Sequence, residues 1–305
     1  MIYPPRQPAW IVTFTAFFLA LAAFLGGCQT GPAAPSSRTW SAPFFFIQLT
    51  DPQFGMHSGN KNFAKEIELF THAIADANRL KPAFVVITGD VVNKNDDPAQ
   101  LAEFKRICAT LDRPIPLYLV PGNHDVGQTP TTQSIAAYRQ AHGPDYYAFD
   151  FQGCHFITLD STVFQTPTQA HQQMQEQLVW LKADLAAQAK RKPQHIIVFT
   201  HHPLFVDQPN EPDSYHNIPL ERRQMLLDLF HHYDVQWVFA GHLHRNAGGK
   251  DGTLNMVAAG PIGQALGKDP SGMNIIKVYA DRVEPQYFGL EQVPVTVRCG
   301  PADAR

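Results

Sequence analysis

The stretch "FFFIQLTDPQFG", residues 44–55, decides the fold. Its apolar run, Phe44 to Leu49, stops at a threonine, an aspartate and a proline, as a buried strand does where it delivers a carboxylate into a loop. If Asp51 binds a metal ion, histidine would be the ordinary second ligand two residues later, but Gln53 stands there. The stretch is therefore either a metal site with an unusual ligand or a strand end that only resembles one.

The composition is that of a globular chain with a sizeable core. Of its 305 residues, 44 % are hydrophobic and 17 % are charged, which is enough to bury one large core or two small ones. The net charge of −3 comes with scattered Lys and Arg, so the sequence shows no footprint for nucleic acid. We find no internal repeat and no evident oligomerisation signal.

The N-terminus has the pattern of an export signal. Arg6 precedes a long apolar run that ends in "LGGCQT", which predicts a signal peptide over residues 1–27. The run resembles a bacterial lipobox, with Cys28 as the lipid attachment site and 28–42 as the lipidated N-terminus and linker. Gln29 favours the outer membrane, so we expect an exported lipoprotein anchored to a membrane on its periplasmic side. The alternative is an uncleaved signal anchor.

Residues 43–292 alternate between strand and helix patterns and predict one mixed α/β domain, followed by a C-terminal tail, 293–305. "AFVVITGD" and "HIIVFTHHP" read as buried strands. "KEIELFTHAIADANRL" has apolar residues at helical spacing, and "YYAFDFQGCHFITLD" reads as a hairpin that turns at Gln152-Gly153.

Polar residues with metal-binding side chains follow five of the predicted strands. They are Asp51 and Gln53; Gly89-Asp90; Gly122-Asn123-His124-Asp125; His201-His202-Pro203; and Gly241-His242-Leu243-His244. The carboxyl ends of strands in an open α/β sheet face one crevice, so these residues can converge. Their oxygen and nitrogen donors, without thiolate, suit Zn²⁺, Mn²⁺ or iron.

These motifs, in this order, resemble the calcineurin-like metallophosphoesterases, whose pattern is D-x-H, G-D, G-N-H-[DE], H-x-P and G-H-x-H. The resemblance implies a two-sheet β-sandwich flanked by helices, the metallo-dependent phosphatase fold, with two divalent metal ions (Mn, Fe or Zn, with Mg as a further option). It implies the following roles: Asp51 and His244 on the first metal, Asp90 bridging both, Asn123, His201 and His242 on the second, and His124 beside the leaving group, oriented by Asp125.

Glutamine in place of the first histidine resembles one subgroup, the calcineurin-like phosphoesterase domain-containing Ser/Thr phosphatases of animals. The similarity extends to "HNIPLERR", "GPIGQALGKDPSGMNIIKV" and "QYFGL". Gln53 then either binds the metal directly or holds a metal-bound water. An amide oxygen is harder than an imidazole nitrogen, so direct ligation favours Mn²⁺, Fe²⁺ or Mg²⁺ over Zn²⁺ at that site. No arginine follows the G-D motif closely, unlike in the large Ser/Thr phosphatases.

The expected activity is hydrolysis of a phosphate monoester, on a protein or a small molecule, by in-line attack of a metal-bridging hydroxide. The loop 204–219 is the expected pocket wall, and the candidate substrate contacts are Asn123, Tyr215, Asn217 and Arg222. Two alternatives stay open: a phosphodiesterase or nucleotidase that uses the same site, and a non-catalytic, lipid-anchored protein that binds metal or phosphate.

Overall fold

The computed structural model describes residues 39–300. The predicted signal peptide, Cys28 and most of the linker lie outside the described residues, so the lipoprotein assignment stays a prediction. Within the described part, no helix is long and apolar enough to cross a membrane.

The chain alternates between strands and helices for most of its length. In order, the elements are β1 (Phe44–Leu49), α1 (Ala64–Leu80), β2 (Val85–Thr88), α2 (Pro98–Cys108), β3 (Leu117–Val120), α3 (Asn123–Val126), α4 (Thr132–His142), β4 (Tyr147–Phe151), β5 (Cys154–Thr158), α5 (Thr162–Gln165), α6 (His171–Arg191), β6 (Ile196–Phe199), α7 (Leu220–His232), β7 (Trp237–Ala240), β8 (Ala247–Asp251), β9 (Leu254–Ala258), β10 (Gly272–Val278) and β11 (Val283–Gly289), followed by a 3₁₀ turn, Leu290–Gln292.

The strands form two sheets. The first sheet has the order β11-β10-β1-β2-β3, and the second has the order β4-β5-β6-β7-β9-β8. In the first, β1, β2 and β3 run parallel; in the second, β5, β6, β7 and β9 do. Because parallel strands end at the same edge, each sheet presents its strand-end loops on one side.

Aromatic side chains fill the space between the sheets. Phe46 of β1 lies 5.9 Å from Phe156, 5.6 Å from Phe199 and 6.1 Å from Phe239, measured between ring centroids, so one ring contacts three strands of the opposite sheet. The next residue, Ile47, points the other way, into a core shared with α1 and α2. A third core lies between the second sheet and helices α6 and α7. The fold is therefore the predicted α/β sandwich flanked by helices, with a core on every sheet face.

The hairpin predicted at Gln152-Gly153 is confirmed, because β4 and β5 pair antiparallel across it. Both turn residues have positive φ, 48° and 75°, as a tight two-residue hairpin requires. The sequence analysis missed helix α4 and the edge strand β8, "AGGKD", whose glycines and charges are depleted in strands. Strand β8 exists because it pairs with β9 along its whole length, so tertiary context overrides its low propensity.

Gln48 joins the two sheets just behind the strand ends. Its side chain is fully buried. Nε2 donates to Thr88 Oγ1 at 3.0 Å and to the carbonyl of Ala240, on the second sheet, at 2.9 Å. Oε1 accepts from Asn274 Nδ2 at 3.2 Å. Every polar atom of this side chain is satisfied, so it holds the two sheets at a set spacing next to the site.

We expect Gln48→Met to lower the free energy of unfolding by about 2–4 kcal/mol, because it leaves three buried polar groups without their partner. Urea unfolding followed by fluorescence and circular dichroism measures the loss. The matched control is Gln286→Met, the same change at an exposed position of β11, which should stay within about 0.5 kcal/mol of the parent. Equal stability of both variants would contradict the role given to Gln48.

Candidate metal centre

The strand-end residues of both sheets meet in one buried cluster. Among the described residues, two groups of side chains bring their ligand atoms within 4.8 Å of one another: Asp51, Asp90 and His201, and His201, His202 and His242. All five are buried, and His201 belongs to both groups. Because the two sets share His201, their donors are compatible with two neighbouring metal ions.

The first half of the cluster contains Asp51, Gln53 and His244. His244 Nε2 lies 3.5 Å from Asp51 Oδ1. Asp51 Oδ2 accepts hydrogen bonds from Thr50 Oγ1 and from the main-chain N–H of His242. In contrast, Asp51 Oδ1 and Gln53 Oε1 are buried and accept no hydrogen bond from the protein. Unsatisfied buried oxygens are costly, so both call for a hydrogen-bond donor or a cation.

The second half surrounds the ring of His201. Its Nε2 lies 2.9 Å from Asn123 Oδ1, 3.1 Å from His242 Nδ1 and 3.3 Å from Asp90 Oδ2. Asp90 therefore stands between the two halves; its other oxygen, Oδ1, accepts the N–H of His124 at 2.7 Å. A carboxylate in this position can bridge two cations.

Main-chain carbonyls orient four of the histidines. His201 Nδ1 lies 2.9 Å from the oxygen of Thr88, and His244 Nδ1 lies 2.5 Å from the oxygen of Gln264. His242 Nε2 lies 3.0 Å from the oxygen of Tyr215, and His124 Nδ1 lies 2.9 Å from the oxygen of Asn93. In a neutral imidazole, the nitrogen that faces a carbonyl carries the proton, and the other ring nitrogen then has a lone pair for a metal ion.

The backbone is strained at the same residues. Asp51, Gln53, Asp90, His242 and His244 all have φ between 41° and 70°, a region that non-glycine residues rarely adopt and that costs energy. Strained conformations persist where surrounding contacts enforce them, and they concentrate at functional sites. Gly89 (φ 91°) is required, because a Cβ there would lie 2.5 Å from His201 Nδ1.

Burial and mutual charge shift the pKa values of the cluster. Burial raises the pKa of Asp51, and the positive charges of His244 and His201 only partly offset it. Burial opposes charge on His201, yet the adjacent Asp90 carboxylate raises the pKa of His201 to about 9. Burial lowers the pKa of His242 to about 3, reinforced by His201. Without metal, the Asp90 carboxylate therefore favours a proton on His201, which a metal ion would have to displace.

These residues fit a pair of divalent cations. The oriented lone pairs, the two unsatisfied oxygens and the central carboxylate supply the nitrogen and oxygen donors that Mn²⁺, Fe²⁺ or Zn²⁺ bind. Asp51, Gln53 and His244 would hold one ion, Asn123, His201 and His242 the other, and Asp90 both.

His124 lies at the edge of this cluster, where its main-chain N–H donates to Asp90 Oδ1, but Asp125 does not orient its ring as the sequence analysis expected. Asp125 Oδ1 accepts the N–H groups of Val91 and Val92, and Oδ2 accepts that of Gly122. The carboxylate thus ties together the loops after β2 and β3. The Asn93 carbonyl, not Asp125, orients the His124 ring.

The loop 204–219 reaches the cluster through Tyr215. Its ring centroid lies 4.7 Å from that of His242, its hydroxyl lies 3.3 Å from Asn123 Nδ2, and the residue is 52 % exposed. The other two residues predicted to contact substrate on this side are engaged elsewhere, so their contact with substrate stays a prediction. Asn217 is buried and binds Ser214, Glu211 and Pro212 within the loop. Arg222 donates to the carbonyls of Phe164 and Gln165.

Sequence reasoning missed Ser161 and left His202 unassigned. Ser161 Oγ accepts the N–H groups of both His201 and His202, at 3.1 and 2.9 Å, and lies 3.1 Å from His202 Nδ1. The His202 ring packs 4.4 Å from His242. The Asp160-Ser161 pair, separated by one residue from the buried strand β5 (Cys154–Thr158), was the signal that could have identified this contact, since it repeats the strand-end pattern of the candidate ligands.

The comparisons with known proteins agree with this geometry. A family model described as calcineurin-like phosphoesterase matches residues 46–246. Among curated proteins, the chain is 37 % identical over 278 residues to the serine/threonine-protein phosphatase CPPED1 of Homo sapiens, covering 86 % of this chain and 88 % of that one. It is 27 % identical over 221 residues to a "probable cyclic nucleotide phosphodiesterase" of Rhodococcus erythropolis, covering 68 % and 70 %.

Among solved structures, a dimetal phosphatase from Danio rerio superposes with a TM-score of 0.62 at 16 % sequence identity, over 82 % of this chain and 97 % of that one. At that identity the superposition shows a shared fold.

Proposed function

The chain belongs to the calcineurin-like phosphoesterase family, and from this membership we propose that it hydrolyses phosphate monoesters at the cluster around Asp90. It is a metal-dependent phosphoesterase with Ser/Thr phosphatase homologues. The site assignment rests mainly on two buried oxygens without a hydrogen bond, Asp51 Oδ1 and Gln53 Oε1. Asp51 Oδ1 also lies 3.5 Å from His244 Nε2.

Each residue has a definable part in this chemistry. A bound pair of divalent cations would supply positive charge to the phosphate oxygens and lower the pKa of water. Asp90 and Asn123 would hold those cations between the two sheets. His124 keeps Nδ1 on the Asn93 carbonyl, which leaves Nε2 for the departing oxygen, and the imidazolium form of His124, with protons on both nitrogens, would act as the general acid. Tyr215, half-exposed beside His242, would contact the leaving group.

The substrate class is a phosphorylated serine or threonine, or a small phosphate monoester. Two features support this proposal: 37 % identity to a serine/threonine-protein phosphatase over most of both chains, and the presence of the acid, His124, which a metal-storing protein would not need. The similarity to a cyclic nucleotide phosphodiesterase favours a diester as the second candidate.

We also propose that the protein is exported and lipidated on Cys28, from the lipobox-like "LGGC". Labelled palmitate should enter the parent chain but not Cys28→Ala, and equal labelling of both would exclude this anchor.

The test of function compares para-nitrophenyl phosphate with bis-para-nitrophenyl phosphate. The full chain, purified in detergent, is stripped of metal and reloaded separately with Mn²⁺, Fe²⁺, Zn²⁺ or Mg²⁺. Metal-dependent turnover of the monoester supports the proposal, and preference for the diester would replace it with the second candidate. No turnover of either compound, with two metals bound, would point to the non-catalytic alternative.

A further inference from the structure

Four amide side chains form a continuous hydrogen-bonded chain that ends at Gln53. Gln100, in the first turn of α2, contacts Asn60, Asn60 contacts Asn93, and Asn93 contacts Gln53. An amide has one donating and one accepting end, so in such a chain the orientation of each member dictates that of the next.

Two main-chain N–H groups fix the orientation of the first amide, Gln100. Gln100 is fully buried, and its Oε1 accepts from Asn93 N at 3.0 Å and from Lys94 N at 2.9 Å. Main-chain N–H groups can only donate, so this end of the Gln100 amide must be the oxygen. Its Nε2 therefore points the other way and donates to Asn60 Oδ1 at 2.9 Å.

The donor and acceptor ends of Asn60, Asn93 and Gln53 follow from the orientation of Gln100 in the same way. Asn60 Oδ1, already an acceptor for Gln100, also accepts from Asn93 Nδ2 at 2.8 Å. Asn93 then presents Oδ1 to Gln53, and Gln53 Nε2 donates to it at 3.1 Å. The remaining end of the Gln53 amide is Oε1, the buried oxygen that accepts no hydrogen bond from the protein.

We propose that Gln100, Asn60 and Asn93 are positioning residues that force the oxygen of Gln53, and not its NH₂ group, toward a metal ion. This inference rests on the proposed metal site, and it selects direct ligation by Gln53 over a water-mediated contact. The Gln53 amide would be a poor ligand if it could rotate freely by 180°, because its NH₂ group repels a cation. The hydrogen-bonded chain of Gln100, Asn60, Asn93 and Gln53, called the relay below, prevents this rotation.

The surrounding backbone leaves the relay little room to rearrange. Gly55, with φ of 102°, packs against it so closely that a Cβ would lie 2.6 Å from Gln100 Nε2 and 2.9 Å from Asn60 Oδ1. The loops are also joined directly, since Gln53 N donates to the Asp90 carbonyl at 2.8 Å. The Asn93 carbonyl anchors His124, so one residue orients both the candidate ligand and the general acid.

The decisive variant is Gln100→Glu, studied at pH 8. A carboxylate still accepts both main-chain N–H groups but cannot donate to Asn60. Asn60 must then turn its NH₂ group toward position 100 and toward Asn93. Asn93 turns over in response and presents its own NH₂ to Gln53, which has to offer Oε1 in return. The Gln53 NH₂ group would then face the cation. We expect Mn²⁺ to bind one of the two sites at least about 10-fold more weakly.

The matched control is Asn60→Asp, an amide-to-acid change in the same chain of contacts. Asn60 uses only its oxygen in the relay, as acceptor for two donors, and a carboxylate serves both. Asn60 is also exposed, so the new charge stays hydrated. Binding of Mn²⁺ should remain within about 3-fold of the parent.

Calorimetric titration of the metal-free full chain with Mn²⁺ gives both dissociation constants without any turnover. Should Gln100→Glu fail to fold, Asn93→Ala, at a part-buried position, frees the Gln53 amide and should weaken one site comparably. If whichever of these two variants folds binds Mn²⁺ as tightly as the parent, the relay is disproved. It is also disproved if Asn60→Asp loses as much affinity for Mn²⁺ as Gln100→Glu. If binding responds as expected but the parent hydrolyses neither nitrophenyl ester, the relay stands and the proposed function fails.

Discussion

Replacing Asp90 with asparagine should lower kcat for para-nitrophenyl phosphate by on the order of 10³-fold or more. Asp90 is 1 % exposed, one of its oxygens lies 3.3 Å from His201 Nε2, and the other accepts the His124 N–H. Asparagine keeps the volume but removes the negative charge that two cations would share, and it turns an N–H group toward one of them.

The control for this variant is Asp96→Asn on the same loop. The Asp96 side chain is 76 % exposed and only loosely paired with Lys94, at 3.7 Å, so its loss should leave kcat within about 2-fold of the parent. Metal content, measured by elemental analysis, should fall in Asp90→Asn and stay unchanged in Asp96→Asn. Retention of both metal ions and of full activity in Asp90→Asn would remove Asp90 from the site.

The second large effect is expected at His124, and it should depend on the leaving group. His124→Gln should lower kcat for phenyl phosphate, whose leaving oxygen needs a proton, by about 10²–10⁴-fold. Para-nitrophenolate departs without protonation, so kcat for para-nitrophenyl phosphate should fall far less. The ring is held by a main-chain carbonyl and not by a ligand side chain, so the metal content should not change.

The ratio of the two losses is what identifies His124 as a general acid. An equal loss on both esters would mean that His124 stabilises charge on the phosphate and does not donate a proton. A fall in metal content would instead make it a ligand. In both cases the acid would have to be sought elsewhere, with the Tyr215 hydroxyl, 3.3 Å from Asn123 Nδ2, as the next candidate.

The sequence by itself determined the donor set and its location in the fold. Short apolar runs such as Phe44 to Leu49, bounded by turn residues, indicate buried strands, and the polar residues that follow them then lie at strand ends, which parallel pairing gathers at one edge of a sheet. For this reason the order of residues along the chain places Asp51 and Asp90 at one edge of the first sheet and His201 and His242 at one edge of the second, and the packing of the two sheets brings these edges together.

Only the tertiary structure decided which way each polar group faces. The Asn93 carbonyl, and not Asp125, orients the His124 ring. Asn217 and Arg222, both expected to contact substrate, instead form hydrogen bonds within the loop and to main-chain carbonyls. Hydrogen-bond direction depends on partners far away in the chain: Gln264 for His244, Tyr215 for His242, and Gln100 for Gln53. Residue type and spacing do not predict these pairings, because each pairing joins two loops that are brought together only by the packing of the sheets.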